Sequence, residues 1–224
     1  MTDELPWPFA GRVAGLIAGE YDLAGSYHFD RLAETLPGVV ASASAMVTDA
    51  TGLELPGAPA VAVVSRREWV DRNIGSYTKL VGDALPAFRA DAATPGEAIS
   101  RRLVVTEVGA LLGFLSKRVL GQYELVLPTE DEADSIAFVG GNILSMERTN
   151  QFSPSDFRMW IALHESAHRA QFVGVPWMRS YFRSLISEMI EHSKSNEGRF
   201  GRMYSRVRDA RKAVSYTHLR AHET

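Results

Sequence analysis

Apolar residues recur at helical spacing along most of the chain. Phe9 to Tyr21 and Phe29 to Ala50 read as helices, with Gly25 and Gly52 as punctuation. Pro56 to Pro59 marks a turn, and the apolar run Ala60 to Val64 is of strand type. Helical spacing resumes from Glu68 to Phe88 through Trp69, Ile74, Tyr77, Leu80, Val81 and Leu85. Thr94-Pro95-Gly96-Glu97 is a helix start, with a capping Thr, a first-turn Pro and Glu three residues on. That helix is expected to run to about Leu120, and Gly109 and Gly113, four apart, permit close packing of another element. Gln122 to Leu127 reads as a strand, and Thr129 to Asp134 as a solvated acidic loop. Ile136 to Val139, Gly140-Gly141-Asn142 and Ile143 to Met146 read as a hairpin, and the rest, from Ser153 onward, as helix. The pattern predicts a mostly α (α+β) protein with a small sheet.

Composition narrows the chemistry. The chain has 224 residues, 46% of them hydrophobic and 23% charged, which is ordinary for a globular protein with a sizeable core. Its net charge of −3 supplies no basic field for nucleic acid or anionic lipid. No apolar run approaches the ~20 residues of a membrane span, and Asp3 and Glu4 stand where a secretory signal would be basic. A cytoplasmic location follows as the expectation. With no cysteine, disulfides, thiolate metal sites and a thiol nucleophile are excluded, and metal chemistry falls to His, Asp and Glu.

One helix carries that chemistry. Ser153-Pro154-Ser155-Asp156 opens it with a capping Ser, a first-turn Pro and an acid near the positive dipole end; Gly174 and Pro176 close it. Within it lie His164, Glu165 and His168, an HExxH pattern. Residues four apart share a helical face, so both imidazoles can reach one zinc ion. Glu165 leans to the flank of that face, where it would act as general base toward water rather than as a ligand. Average composition produces HExxH in roughly one chain of this size in a hundred or two, so the pattern alone is also compatible with two ordinary histidines on a half-buried face. Context favours metal: two imidazoles and a carboxylate on a largely apolar helix are costly to bury unless something coordinates them.

The chain also resembles a family of zincin-like, metalloprotease-like hydrolases found mainly in actinobacteria and their relatives and associated with deazaflavin-coenzyme biosynthesis. The resemblance rests on Arg66-Arg67-Glu68-Trp69, the stretch Gly113 to Tyr123, Val139 to Ile143, Asp156 to Trp160 and, most specifically, His164 to Trp177 (HESAHRAQFVGVPW). It implies a zincin-like, mostly helical fold with a small sheet or hairpin beside the HExxH helix. It also implies zinc (Zn2+) held by His164 and His168, with Glu165 catalytic. Members run well past this length, and a later helix bearing a Glu-Gly motif holds what looks like the third ligand; nothing here matches that motif.

The last ten residues, Ser215 to Thr224, look like a translated sequencing-adapter tail, so the expected organisation is one incomplete domain over 1–213 followed by a non-native tail over 214–224. His218 and His222, four apart within that tail, carry no weight. Glu188, Glu191 and His192 on the next helix could complete the site, but its apolar face of Phe182, Leu185, Ile186, Met189 and Ile190 puts both glutamates on the polar side. Phe157 and Trp160 are expected in the core rather than as substrate contacts. The hairpin over 136–146 could offer an edge strand to an extended peptide, or be a plain hairpin. Arg199, Arg202, Arg206, Arg208, Arg211 and Lys212 read as a solvated helix face or, alternatively, a contact for an acidic partner. Gly140-Gly141-Asn142 lacks the helix start and lysine of a phosphate loop. The functional expectation is a zinc metallopeptidase acting on a peptide or protein substrate, weakly active here for want of its third ligand. The alternative is a non-catalytic zincin-fold protein serving as a metal-binding or protein-interaction module.

Overall fold

The computed structural model describes residues 7–21, 23, 25–84, 95–124 and 134–189. The chain divides into two compact units, residues 1–179 and 180–224. In the second, residues 180–189 are helical; the expected basic face over 199–212, the tail over 214–224, Glu191 and His192 lie outside the described residues.

The first unit runs α1 (Trp7–Ala18), α2 (Tyr27–Thr51), β1 (Ala60–Val64), α3 (Arg66–Ala84), α4 (Pro95–Ser116), β2 (Gly121–Tyr123), β3 (Ser135–Val139), α5 (Gly140–Asn150) and α6 (Pro154–Val173). It is mostly helical with a small three-stranded sheet, as the periodicity predicts. Local signals set several boundaries. Gly52 ends α2 in the left-handed region at φ 70° and returns its N–H to Thr48 O. Ser153 stands at the N-cap of α6, yet its hydroxyl meets Ser155 Oγ at 3.0 Å rather than capping the backbone.

The sheet order is β1-β3-β2, with β3 parallel to β1 and antiparallel to β2. Side chains alternate across a strand, and the central strand uses both faces. Ile136 and Phe138 join Leu32, Leu36 and Val40 of α2, Ile143 of α5 and Ile161 of α6. Ala137 and Val139 join Ala14 of α1, Trp69 and Val70 of α3, and Leu112 of α4. The two glycines of α4 fit this second layer. A Cβ at Gly109 would lie 2.6 Å from Ala10 O and one at Gly113 2.7 Å from Ala14 O, so their bareness lets α1 lie directly against α4.

Three expectations are corrected. The hairpin over 136–146 does not form: β3 passes straight into α5 at Gly140, and none of Gly140, Gly141 and Asn142 has a positive φ. The glycines serve packing instead of turning. A Cβ at Gly140 would meet Phe29 at 2.6 Å and Val63 at 2.7 Å, and one at Gly141 would meet Tyr21 at 2.9 Å. Asn142 donates to Ser116 O and Val119 O, both at 2.7 Å, and accepts from Arg66 Nε at 2.8 Å. A helix therefore does start at this glycine pair, but packed side chains fill the space a phosphate would need. Paired on both sides, β3 also presents no free edge; the edges are β1 and β2. Second, the strand expected over 122–127 is regular only at Gly121–Tyr123, and residues 125–133 lie outside the described residues. Third, Asp134 is not solvated surface. Its Oδ2 accepts from Arg169 Nε at 2.5 Å, and Arg169 is 1% exposed.

Candidate metal centre

Helix α6 lies against α2 on one side and β2 on another. Its inner face is closed by Ile161, Ala162, Glu165, Ser166, Arg169 and Ala170, all buried. The polar members of that face are partnered. Ser166 Oγ meets Ser44 Oγ of α2 at 3.3 Å. The Arg169 guanidinium also reaches Pro56 O at 2.7 Å and Gly57 O at 3.2 Å. Burying a cation without such partners would be prohibitive.

His164 and His168 stand on the other flank, one turn apart. His164 is exposed and His168 half-buried. Their Nε2 atoms are 3.1 Å apart, with the rings edge to face at a centroid distance of 4.7 Å. Two nitrogens bound at 2.0–2.1 Å to a tetrahedral zinc stand about 3.3 Å apart. The pair therefore fits two corners of such a site, and its opening to solvent gives an ion a way in. No third His, Asp or Glu joins them in a metal-binding group among the described residues. Glu188, the described one of the two glutamates considered, is exposed.

Glu165, between the two histidines, is 5% exposed. Its Oε2 accepts the backbone N–H of Tyr123 in β2 at 2.8 Å. Burial pushes its carboxyl above the usual range; the Tyr123 hydrogen bond and then the two imidazoles pull in the opposite direction without prevailing. The carboxyl is thus biased toward keeping its proton, next to two converging imidazoles on the same helix.

Sequence reasoning misjudged two groups at this site. Tyr123 serves the Glu165 carboxyl through the main chain, which no side-chain pattern reveals. The Tyr123 side chain packs parallel to Phe172 at 6.2 Å, and its hydroxyl accepts from Arg179 at 3.1 Å. Burial first, and Asp134 second, raise the phenol pKa. The second is Trp160, expected in the core but 58% exposed. Position 160 lies on the outer face with His164, so Trp160 stacks on half-buried Phe157 at 6.1 Å and stands 6.0 Å from the His164 ring.

An HExxH helix with its imidazoles converging and its glutamate held by a sheet edge is the arrangement expected of a zincin-like protein. The chain matches the family model for zincin-like metallopeptidases over residues 5–223, and it belongs to that family. The match extends into residues 214–223, within the segment expected from the sequence to be a non-native tail. A crystal structure described as a "putative hydrolase with a novel fold" from Chloroflexus aurantiacus is similar at 30% identity and a TM-score of 0.64. That similarity covers 83% of this chain and 58% of the Chloroflexus chain, so this chain spans less than two thirds of its neighbour. No curated protein matches. Among the described residues no helix is long and apolar enough to cross a membrane.

Proposed function

We propose that the chain carries the zinc-binding half of a metallohydrolase that cleaves an amide bond in a peptide or protein substrate. The observation that carries this reading is the 3.1 Å approach of His164 and His168 Nε2 beside the held carboxyl of Glu165. Family membership and the hydrolase description of the Chloroflexus protein support it. Zinc, when bound, supplies Lewis acidity that polarises a carbonyl and acidifies water. His164 and His168 would hold the ion. Glu165, fixed through Oε2 by Tyr123 N–H, takes the proton from the attacking water at its other oxygen and returns it to the leaving nitrogen. The third ligand is to be sought outside the described residues.

One observation favours a second reading, a zincin-fold protein that binds metal without hydrolysis: Glu165 is nearly sealed beneath β2, whereas a base must reach its substrate. Metal analysis and a peptide-library assay separate the two. Zinc should be stoichiometric in wild type and lost in His164→Ala, with the zinc-induced rise in Tm lost as well. Glu165→Gln should keep zinc and lose turnover. Metal kept with no cleavage by wild type would establish the second reading.

A further inference from the structure

Strand β2 carries a glycine at the position that faces the candidate base. Gly121 pairs with Phe138 in the sheet, and it is not among the positive-φ glycines Gly19, Gly25, Gly52 and Gly57. Its backbone thus makes no demand that alanine could not meet, and strand propensity would favour alanine there. Space is what forbids it. A Cβ at 121 would fall 2.8 Å from Cγ, 2.8 Å from Oε1 and 3.0 Å from Cδ of Glu165. All three nearest atoms belong to that one side chain. At Gly109 the obstacle is the backbone of α1; at Gly121 it is the Glu165 carboxyl group and the carbon next to it. A glycine in a strand commonly marks the close approach of another group, and here the group is identified.

Two residues along the same strand, Tyr123 N–H holds Oε2. The strand therefore fixes the carboxyl by a donor at 123 and a missing side chain at 121. We infer that Gly121 is a positioning residue for Glu165: the absence of a side chain there creates the slot that sets the carboxyl beside the histidine pair. Any side chain at 121 displaces the carboxyl, which is the part free to yield, and breaks its bond to Tyr123. Gly121 touches neither metal nor substrate. Its catalytic consequence rests on the reading under Proposed function; its placement of the carboxyl does not.

The test is a double-mutant cycle on the metal-free chain. Gly121→Ala should lower Tm by roughly 4–10 °C in the wild-type background. In a Glu165→Ala background, where the slot is empty, it should cost at most about 2 °C. Equal losses in both backgrounds overturn the inference. Should Gly121→Ala alone not fold, the double variant must fold; its failure overturns the inference too. A simple packing role is separated by hydrogen exchange at the Tyr123 amide, which donates to Glu165 Oε2. In Gly121→Ala that amide should lose protection as the carboxyl leaves the slot, and protection unchanged from wild type refutes positioning. Peptide hydrolysis by the zinc-loaded protein is scored separately. Its absence in wild type sinks the hydrolase reading and leaves the cycle and the exchange measurement to decide the placement of Glu165.

Discussion

The two faces of α6 treat polar side chains in opposite ways. On the inner face Glu165, Ser166 and Arg169 are buried, and each has a fixed partner: Tyr123 N–H, Ser44 Oγ, and Asp134 with the carbonyls of Pro56 and Gly57. On the outer face Trp160 and His164 are open to solvent, and the two imidazoles turn to each other. Buried polar groups must be satisfied within the fold, so the inner face spends its polar groups on holding the helix. The outer face leaves its imidazoles to each other and to solvent, where the proposed metal would reach them. Glu165 belongs to both, anchored like a structural residue and adjacent to His164.

If that division is right, stability should respond to the inner face and zinc to the outer one. The largest loss is expected at Arg169. Arg169→Met should cost about 3–5 kcal/mol in urea unfolding, because it strands the Asp134 charge and two loop carbonyls; a loss under about 1 kcal/mol would mean the face is less sealed than it looks. Glu165 comes next and acts with the opposite sign. Burial holds its pKa above the unfolded value of about 4.3, so its ionised form costs stability at neutral pH. Wild type regains that stability as pH falls through the folded-state pKa to the unfolded one. Metal-free Glu165→Gln should therefore melt above wild type at pH 7, with the gap closing as pH approaches about 4; a gap independent of pH would contradict the burial argument. Ser166→Ala leaves Ser44 Oγ without its partner and should cost about 0.5–1.5 kcal/mol. Smallest of all, Trp160→Ala and His164→Ala should shift metal-free stability by no more than about 0.5 kcal/mol. His164→Ala should nevertheless abolish zinc binding. That contrast is the sharpest form of the comparison, since an outer-face variant that unfolded the protein would erase it.

Much of this was legible in the sequence, and the failures share one cause. The bounds of β1 match the apolar run Ala60–Val64, and α6 begins at Pro154 as its start signal predicts, because both signals act within a few residues. Gly109 and Gly113 announced a close approach, although not that α1 would make it. Gly140-Gly141-Asn142 misled because turn chemistry and close packing select the same residue. The glycines there answer to Phe29, Val63 and Tyr21, all distant in sequence. At the site, the spacing of His164 and His168 forecast their convergence, since helical geometry alone produces it. What held Glu165 was unreadable: a main-chain amide leaves no trace in residue identity, and Gly121 looks like any strand-end glycine until the fold sets it against the carboxyl. Trp160 was misplaced because periodicity assigns a stripe without saying which end of it the core covers.

The parallel pairing of β1 with β3 has a consequence for the order of assembly. Ala60 lies opposite Ser135, so the central strand can be seated only after everything between them has been made. On a ribosome, β1 must wait through the synthesis of α3, α4 and β2 before its neighbour emerges, and the histidine helix follows later still. Such long-range closure is slow compared with local helix formation. In pulse-labelled hydrogen exchange the β1 amides should gain protection together with those of β3, well after α2, and the imidazole pair should be the last part of the molecule to become competent for metal.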